Sequence, residues 1–151
     1  MRPTLSDRAV LEELVSRLRR LAPAQPGHWG SMKPQQMALH LGDATAAVLK
    51  QRAFSAKPRG GPAGLRRSLL LYVLPRMPRG IKTGADPAAA AVDPAAFAED
   101  VERAVTLLQQ LASAPPHALV DRHPILGPMT RAHWMRWAFL HTDHHLRQFG
   151  L

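Results

Sequence analysis

A chain of 151 residues with no cysteine has length for one domain and a real core, and it excludes disulfides, thiolate metal sites and a cysteine nucleophile of its own. Apolar residues make up 46% but aromatics only 5%, a palette rich in alanine and leucine that favours helices over strands. The formal charge of +9 is no general nucleic-acid signal, because residues 50–82 hold nine Lys and Arg side chains and no acid while the flanking segments are close to balanced.

The N-terminal stretch MRPTLSDRAVLEELV carries acids and lacks an uninterrupted apolar run, so it does not read as a signal peptide, and no stretch approaches the roughly 18 apolar residues of a membrane span. A soluble, cytoplasmic protein is expected. Residues 5–21 set Val10, Leu11, Leu14, Val15, Leu18 and Leu21 at helical spacing, with Ser6 as the expected N-cap and Pro23 past the end. Pro26, Gly27 and Gly30 mark a turn. A second helix is expected to follow over SMKPQQMALHLGDATAAVLKQ, capped by Ser31, with Pro34 in its first turn. Its stripe runs Met37, Leu41, Ala44, Val48; His40 lies at the edge, with Asp43 one turn on. Gly42 inside the helix costs about 1 kcal/mol relative to alanine, which points to close packing there.

Residues 52–93 form a long, basic, Pro- and Gly-rich crossover, in which LRRSLLLYVL at 65–74 is free of breakers and predicts a short helix. Asp93-Pro94 starts a third long helix, whose inward stripe is Phe97, Val101, Ala104, Val105, Leu108 and Leu111. A proline-rich loop ends at Thr130, the expected cap of a final helix reading RAHWMRWAFLHTDHHLRQ. No strand alternation is evident. Four main helices with one long connection between the second and third describe an all-α single domain over 1–151, a four-helix bundle.

In the final helix, His141 and His145 stand one turn apart on the stripe that carries Trp134 and Ala138. Two imidazoles at i and i+4 can share a metal ion, and His40 is the candidate third ligand. Three nitrogens with an open position is the pattern of a catalytic metal site; the plainer reading is three hydrogen-bonded core histidines, since HxxxH recurs by chance. His144 falls on the flank of the stripe and reads as a pocket-lining or acid/base group, and Asp43 as a carboxylate that orients His40. Asp143 and Arg147 read as a surface ion pair. His28, His117, His123 and His133 lie in loops or at a helix edge, where structural roles are expected, and Trp134 and Trp137 are expected in the core or over a pocket.

HWGSMKPQQMALHLGDA, PRMPRGIKTG and HPILGPMTRAHWMRWAFLHTDHHLRQFGL, in this order over nearly the whole chain, resemble an uncharacterised branch of the DinB-like superfamily of metal-dependent enzymes. The resemblance implies a four-helix bundle with metal ligands His40, His141 and His145, a zinc, nickel or manganese ion, and a homodimer. It also implies a thiol-dependent reaction, since characterised members use bacillithiol, mycothiol or glutathione. A metal-dependent transferase or hydrolase acting on a small molecule is therefore the leading expectation, with Asp43 and His144 as supporting catalytic groups. The absent cysteine fits a low-molecular-weight thiol supplied as cosubstrate. The alternative is a non-enzymatic small-molecule-binding or stress-response module with a structural or vestigial metal. Nucleic acid is a disfavoured partner of the basic segment, which offers one tyrosine and no reading motif.

Overall fold

The computed structural model describes residues 2–81 and 84–151. Lys82 and Thr83, at the end of the basic segment and of the PRMPRGIKTG motif, lie outside the described residues. Five α-helices are described: α1 (Arg8–Arg19), α2 (Pro34–Val48), α3 (Ala63–Ser68), α4 (Phe97–Ser113) and α5 (Arg131–Gln148). No helix among the described residues is long and apolar enough to cross a membrane.

The long helices start where their caps can reach. Asp7, one residue past the expected Ser6, accepts from the Ala9 N–H and starts α1. Ser31 does not cap α2: Lys33 holds that position, with Pro34 inside the first turn, and Gln36 Oε1 accepts from the Lys33 N–H at 2.9 Å. Asp93 caps a 3-10 turn, Pro94–Ala96, that runs on into α4. Thr130 caps α5 as expected, and the His133 ring returns the favour by accepting from the Thr130 N–H.

Helix α4 packs along α2 and against α1, and α5 crosses α1, α2 and α4. Between them lies one core, in which Leu14, Leu18, Met37, Leu41, Leu108, Leu111, Trp134 and Leu140 are each at most 1% exposed. Gly42 sits at the α2–α4 contact, where an added Cβ would stand 2.8 Å from the Arg103 guanidinium, so the glycine admits that side chain.

The crossover carries its own packed element. Helix α3 continues as one π turn, Leu69–Val73, which buries Leu71 completely while Leu69, Tyr72 and Val73 stay exposed. Arginines fix it to its neighbours. Arg66 donates to the Ile125 carbonyl and Arg67 to the Leu126 and Pro128 carbonyls, while the buried Arg136 of α5 donates to those of Leu71 and Pro3. Gln35 and Gln36 at the head of α2 hold the far end of the crossover: Gln36 donates to the Ala88 and Ala90 carbonyls, and Gln35 to Asp93 and Asp100.

One two-stranded ladder departs from the strandless expectation. β1 (Arg122–His123) pairs antiparallel with β2 (Gly127–Pro128) across a short turn, and Gly127 at the head of β2 takes φ +71°. The ladder is too short to show as alternation, and the His123 ring, not periodicity, closes it.

Candidate metal centre

Three imidazoles from two helices converge where α2 meets α5. His40 comes from α2, and His141 and His145 come from adjacent turns of α5. One ring nitrogen from each lies within 4.8 Å of the other two. Ring centroids are 4.8–4.9 Å apart in all three pairs, at interplanar angles of 71°, 79° and 87°, so the rings meet edge to face around a shared point.

The donor set fits a metal ion. His40 Nε2 and His141 Nε2 stand 3.0 Å apart. Two nitrogens each about 2.1 Å from one ion at a right angle would be about 3.0 Å apart, and about 3.4 Å apart at the tetrahedral angle. The third nitrogen lies within 4.8 Å of both. Burial keeps all three rings neutral, and without an ion one of the two Nε2 atoms of His40 and His141 donates to the other. Burial pushes His40 down to about 4, against the opposing field of Asp43, and His145 down to about 3, aided by the field of His40. The fully enclosed His141 is held well below its ordinary value, first by burial and then by His145 and His40.

The tautomer of His145 is set from outside the trio. The side-chain nitrogen of Gln148 donates to the Trp29 carbonyl at 2.8 Å, which turns Oε1 of the same amide toward His145 Nδ1, 2.9 Å away. A carbonyl oxygen only accepts, so Nδ1 carries the proton and Nε2 keeps its lone pair. Gly30 makes room for this relay. An added Cβ there would lie 2.7 Å from Gln148 Nε2, and the φ of +74° disfavours any side chain. Gln148 went unremarked in the sequence because glutamine three residues after histidine is an ordinary surface pattern; the Trp29 carbonyl that orients it is 119 residues away.

Trp137 lies flat on His141, centroids 4.7 Å apart and planes 18° apart, and shields that ring. Trp134 is core, its indole N–H donating to the Val120 carbonyl. A cavity of about 370 Å³ opens onto His40 and His141, walled by Trp137, Phe54, His123 and crossover residues from 52–56 and 85–90. His145 is not among its lining residues.

The expected supporting residues sit differently. Asp43 lines the cavity mouth, but its carboxylate is held by Arg103 at 3.0 Å and by Arg52, so it acts on His40 through its field and not through a hydrogen bond. His144 turns away from the cavity; its Nδ1 donates to the Met77 carbonyl at 3.2 Å, and its ring meets the edge of Trp29. Asp143 and Arg147 are more than the expected surface pair. Arg17 of α1 joins them from 126 residues away, at 3.0 Å, and all three side chains are at most 23% exposed.

Fold and centre together define a mostly helical protein with three histidines placed to hold a metal ion. Residues 7–150 match a family described as a protein of unknown function, DUF1569, and the chain belongs to it. No curated protein and no solved structure matches the chain.

Proposed function

We propose that the protein is a metal-dependent enzyme in which His40, His141 and His145 hold a divalent zinc, nickel or manganese ion and the adjoining cavity receives a small-molecule substrate. The observation that carries this reading is the direction of the nitrogens. Gln148 commits the Nδ1 proton of His145 outward, His40 and His141 bring their Nε2 atoms to 3.0 Å, and these two rings open onto one cavity. Hydrogen-bonded core histidines would account for the His40–His141 approach, but not for a cavity that opens onto both rings.

His40, His141 and His145 would hold the ion as neutral imidazoles, and it would supply Lewis acidity to a water or thiol. The chain's own residues bind and orient. Trp137 and Phe54 offer flat apolar walls, Trp137 keeps solvent from one face of His141, and the Arg52–Asp43 pair lies at the mouth. The DinB-like resemblance supports a four-helix-bundle enzyme that transfers groups to an external thiol, consistent with a chain that has no cysteine; hydrolysis is the sister reaction.

Metal analysis of the purified protein is the test. About one divalent ion per chain is expected in the native protein, with most of it lost in His40→Ala and in His141→Ala. Unchanged metal content in both variants sinks the reading. A screen of thiols with electrophilic acceptors, run beside ester and amide substrates, then separates transferase from hydrolase.

A further inference from the structure

His123 has one nitrogen spoken for and one to spare. Its Nδ1 accepts from the N–H groups of Ile125 at 3.0 Å and Leu126 at 3.2 Å, which closes the turn between β1 and β2. A nitrogen that accepts two amide protons carries none itself, so the neutral ring holds its proton on Nε2. The ring is 7% exposed and wedged among Phe54, Trp134 and Trp137 with centroids 5.5–5.8 Å away, which fixes its direction.

Among the described residues, no acceptor meets that Nε2–H, and the ring lines the cavity that also exposes His40 and His141. Two of the cavity's other polar side chains are committed. Gln36 gives its amide protons to Ala88 and Ala90, and Arg52 is paired with Asp43 at the mouth. Among the described residues, Arg147 Nη2 is the one side-chain nitrogen both sealed from solvent and unpaired, so the His123 N–H keeps access to solvent, and a bound acceptor takes the place of water there. Burial pushes His123 down to about 4, so the ring remains a neutral donor at ordinary pH.

We propose that the cavity binds a compound with a flat apolar group and an adjacent acceptor oxygen, an aryl or acyl carbonyl, whose oxygen takes the His123 Nε2–H beside the three-histidine centre. The proposal rests on the metal reading above and extends it to the substrate class. Trp137 and Phe54 receive the flat group. A fixed neutral donor of this kind strengthens its hydrogen bond as negative charge builds on the oxygen, without giving up its proton.

Cobalt(II)-loaded protein, titrated with benzohydroxamate and separately with azide and followed by its visible spectrum, provides the test. Benzohydroxamate offers an aryl group beside a carbonyl, whereas azide is small enough to reach the ion alone. His123→Asn keeps the turn, because an asparagine side-chain oxygen accepts from the same backbone amides. This variant is expected to bind benzohydroxamate about tenfold or more weakly, and azide within about twofold of the parent. His123→Phe, which retains the ring's bulk, should show the same loss. In the parent protein, nitrogen NMR should find Nδ1 bare, Nε2 protonated, and the Nε2–H resonance displaced by benzohydroxamate. Equal benzohydroxamate affinity in parent and both variants, no binding by the cobalt-loaded parent, or a proton on Nδ1 overturns the proposal and leaves the metal reading standing. Cobalt uptake that is absent, or undiminished in His40→Ala, removes the metal reading and the proposal with it.

Discussion

Gln148 and Gly30 do their work as a pair. Gln148 holds the proton of His145 on the far side of the ring, and Gly30 leaves the space in which the amide can reach the Trp29 carbonyl. Losing an outer hydrogen-bond partner of a metal-bound histidine commonly weakens metal affinity by about 10–100-fold. Gln148→Leu is expected to fall in that range when zinc affinity is measured by competition with a chelating dye. Gly30→Ala should do much the same by pushing the amide aside, and the double variant should lose little more than either alone, since both break one link. Full additivity would mean that the two act separately. A second residue-scale consequence concerns acid. His123 titrates near 4 when folded and near its ordinary 6.5 when unfolded. Between those values the unfolded chain binds the extra proton, so stability is full above pH 6.5, falls as the pH drops, and levels off near 4. The difference is on the order of 3 kcal/mol. Urea unfolding of metal-free protein at pH 7 and at about pH 4.5 should show a smaller loss in His123→Asn than in the parent, because asparagine does not titrate.

At the scale of elements, α3 and its π turn are held by arginines, Arg66 and Arg67 reaching out of α3 and Arg136 reaching in from α5. Arg66 donates to the carbonyls of Arg59, Gly60 and Ile125, and so ties the loop before α3 to the turn between β1 and β2. Removing it leaves those carbonyls to solvent: Arg66→Ala should cost about 1–2 kcal/mol of stability. It should also admit limited proteolysis within residues 57–68 and leave the metal content unchanged, because none of the three histidines touches this segment. Cleavage no faster than in the parent would show that the apolar contacts of Leu71 hold the element alone. The long helices were legible in the sequence, because the stripes of Leu14 and Leu18 or of Val101, Ala104 and Leu108 repeat at helical spacing and meet clear breakers. Their caps were less so. Ser6 and Asp7 are both good N-caps by type, and which one serves depends on where the backbone turns helical. Helix periodicity also placed His40, His141 and His145 on inward faces, and they do meet. Partners far apart in the chain were not legible. Asp43 pairs with Arg103, 60 residues on, and Asp143 with Arg17; neither follows from a local pattern. Nor did spacing assign His123, whose role depends on a turn only five residues long and on the cavity behind it.

The molecule as a whole is organised so that the centre and the core stabilise each other. Helix α5 supplies two of the three histidines, the buried Arg136 that fixes the crossover, and the Asp143 that binds α1 through Arg17. An ion at the centre would link α2 to α5, between the half-buried His40 and the buried His141 and His145. Binding to the folded chain alone stabilises it by about 2.7 kcal/mol at a ligand concentration a hundred times Kd. Adding zinc to metal-free protein should therefore raise Tm by about 5–11 °C at that saturation, since each kcal/mol moves Tm by about 2–4 °C in a chain of 151 residues. A chelator should reverse the rise. His40→Ala removes only the α2 ligand and leaves the His141–His145 pair on α5, so its residual zinc response measures how much of the coupling crosses between helices. A response close to the parent's would place the ion on α5 alone. A response near zero, with metal-free Tm little changed, is the expected outcome: the centre then depends on the meeting of the two helices, and metal occupancy reports on the packing of the whole domain.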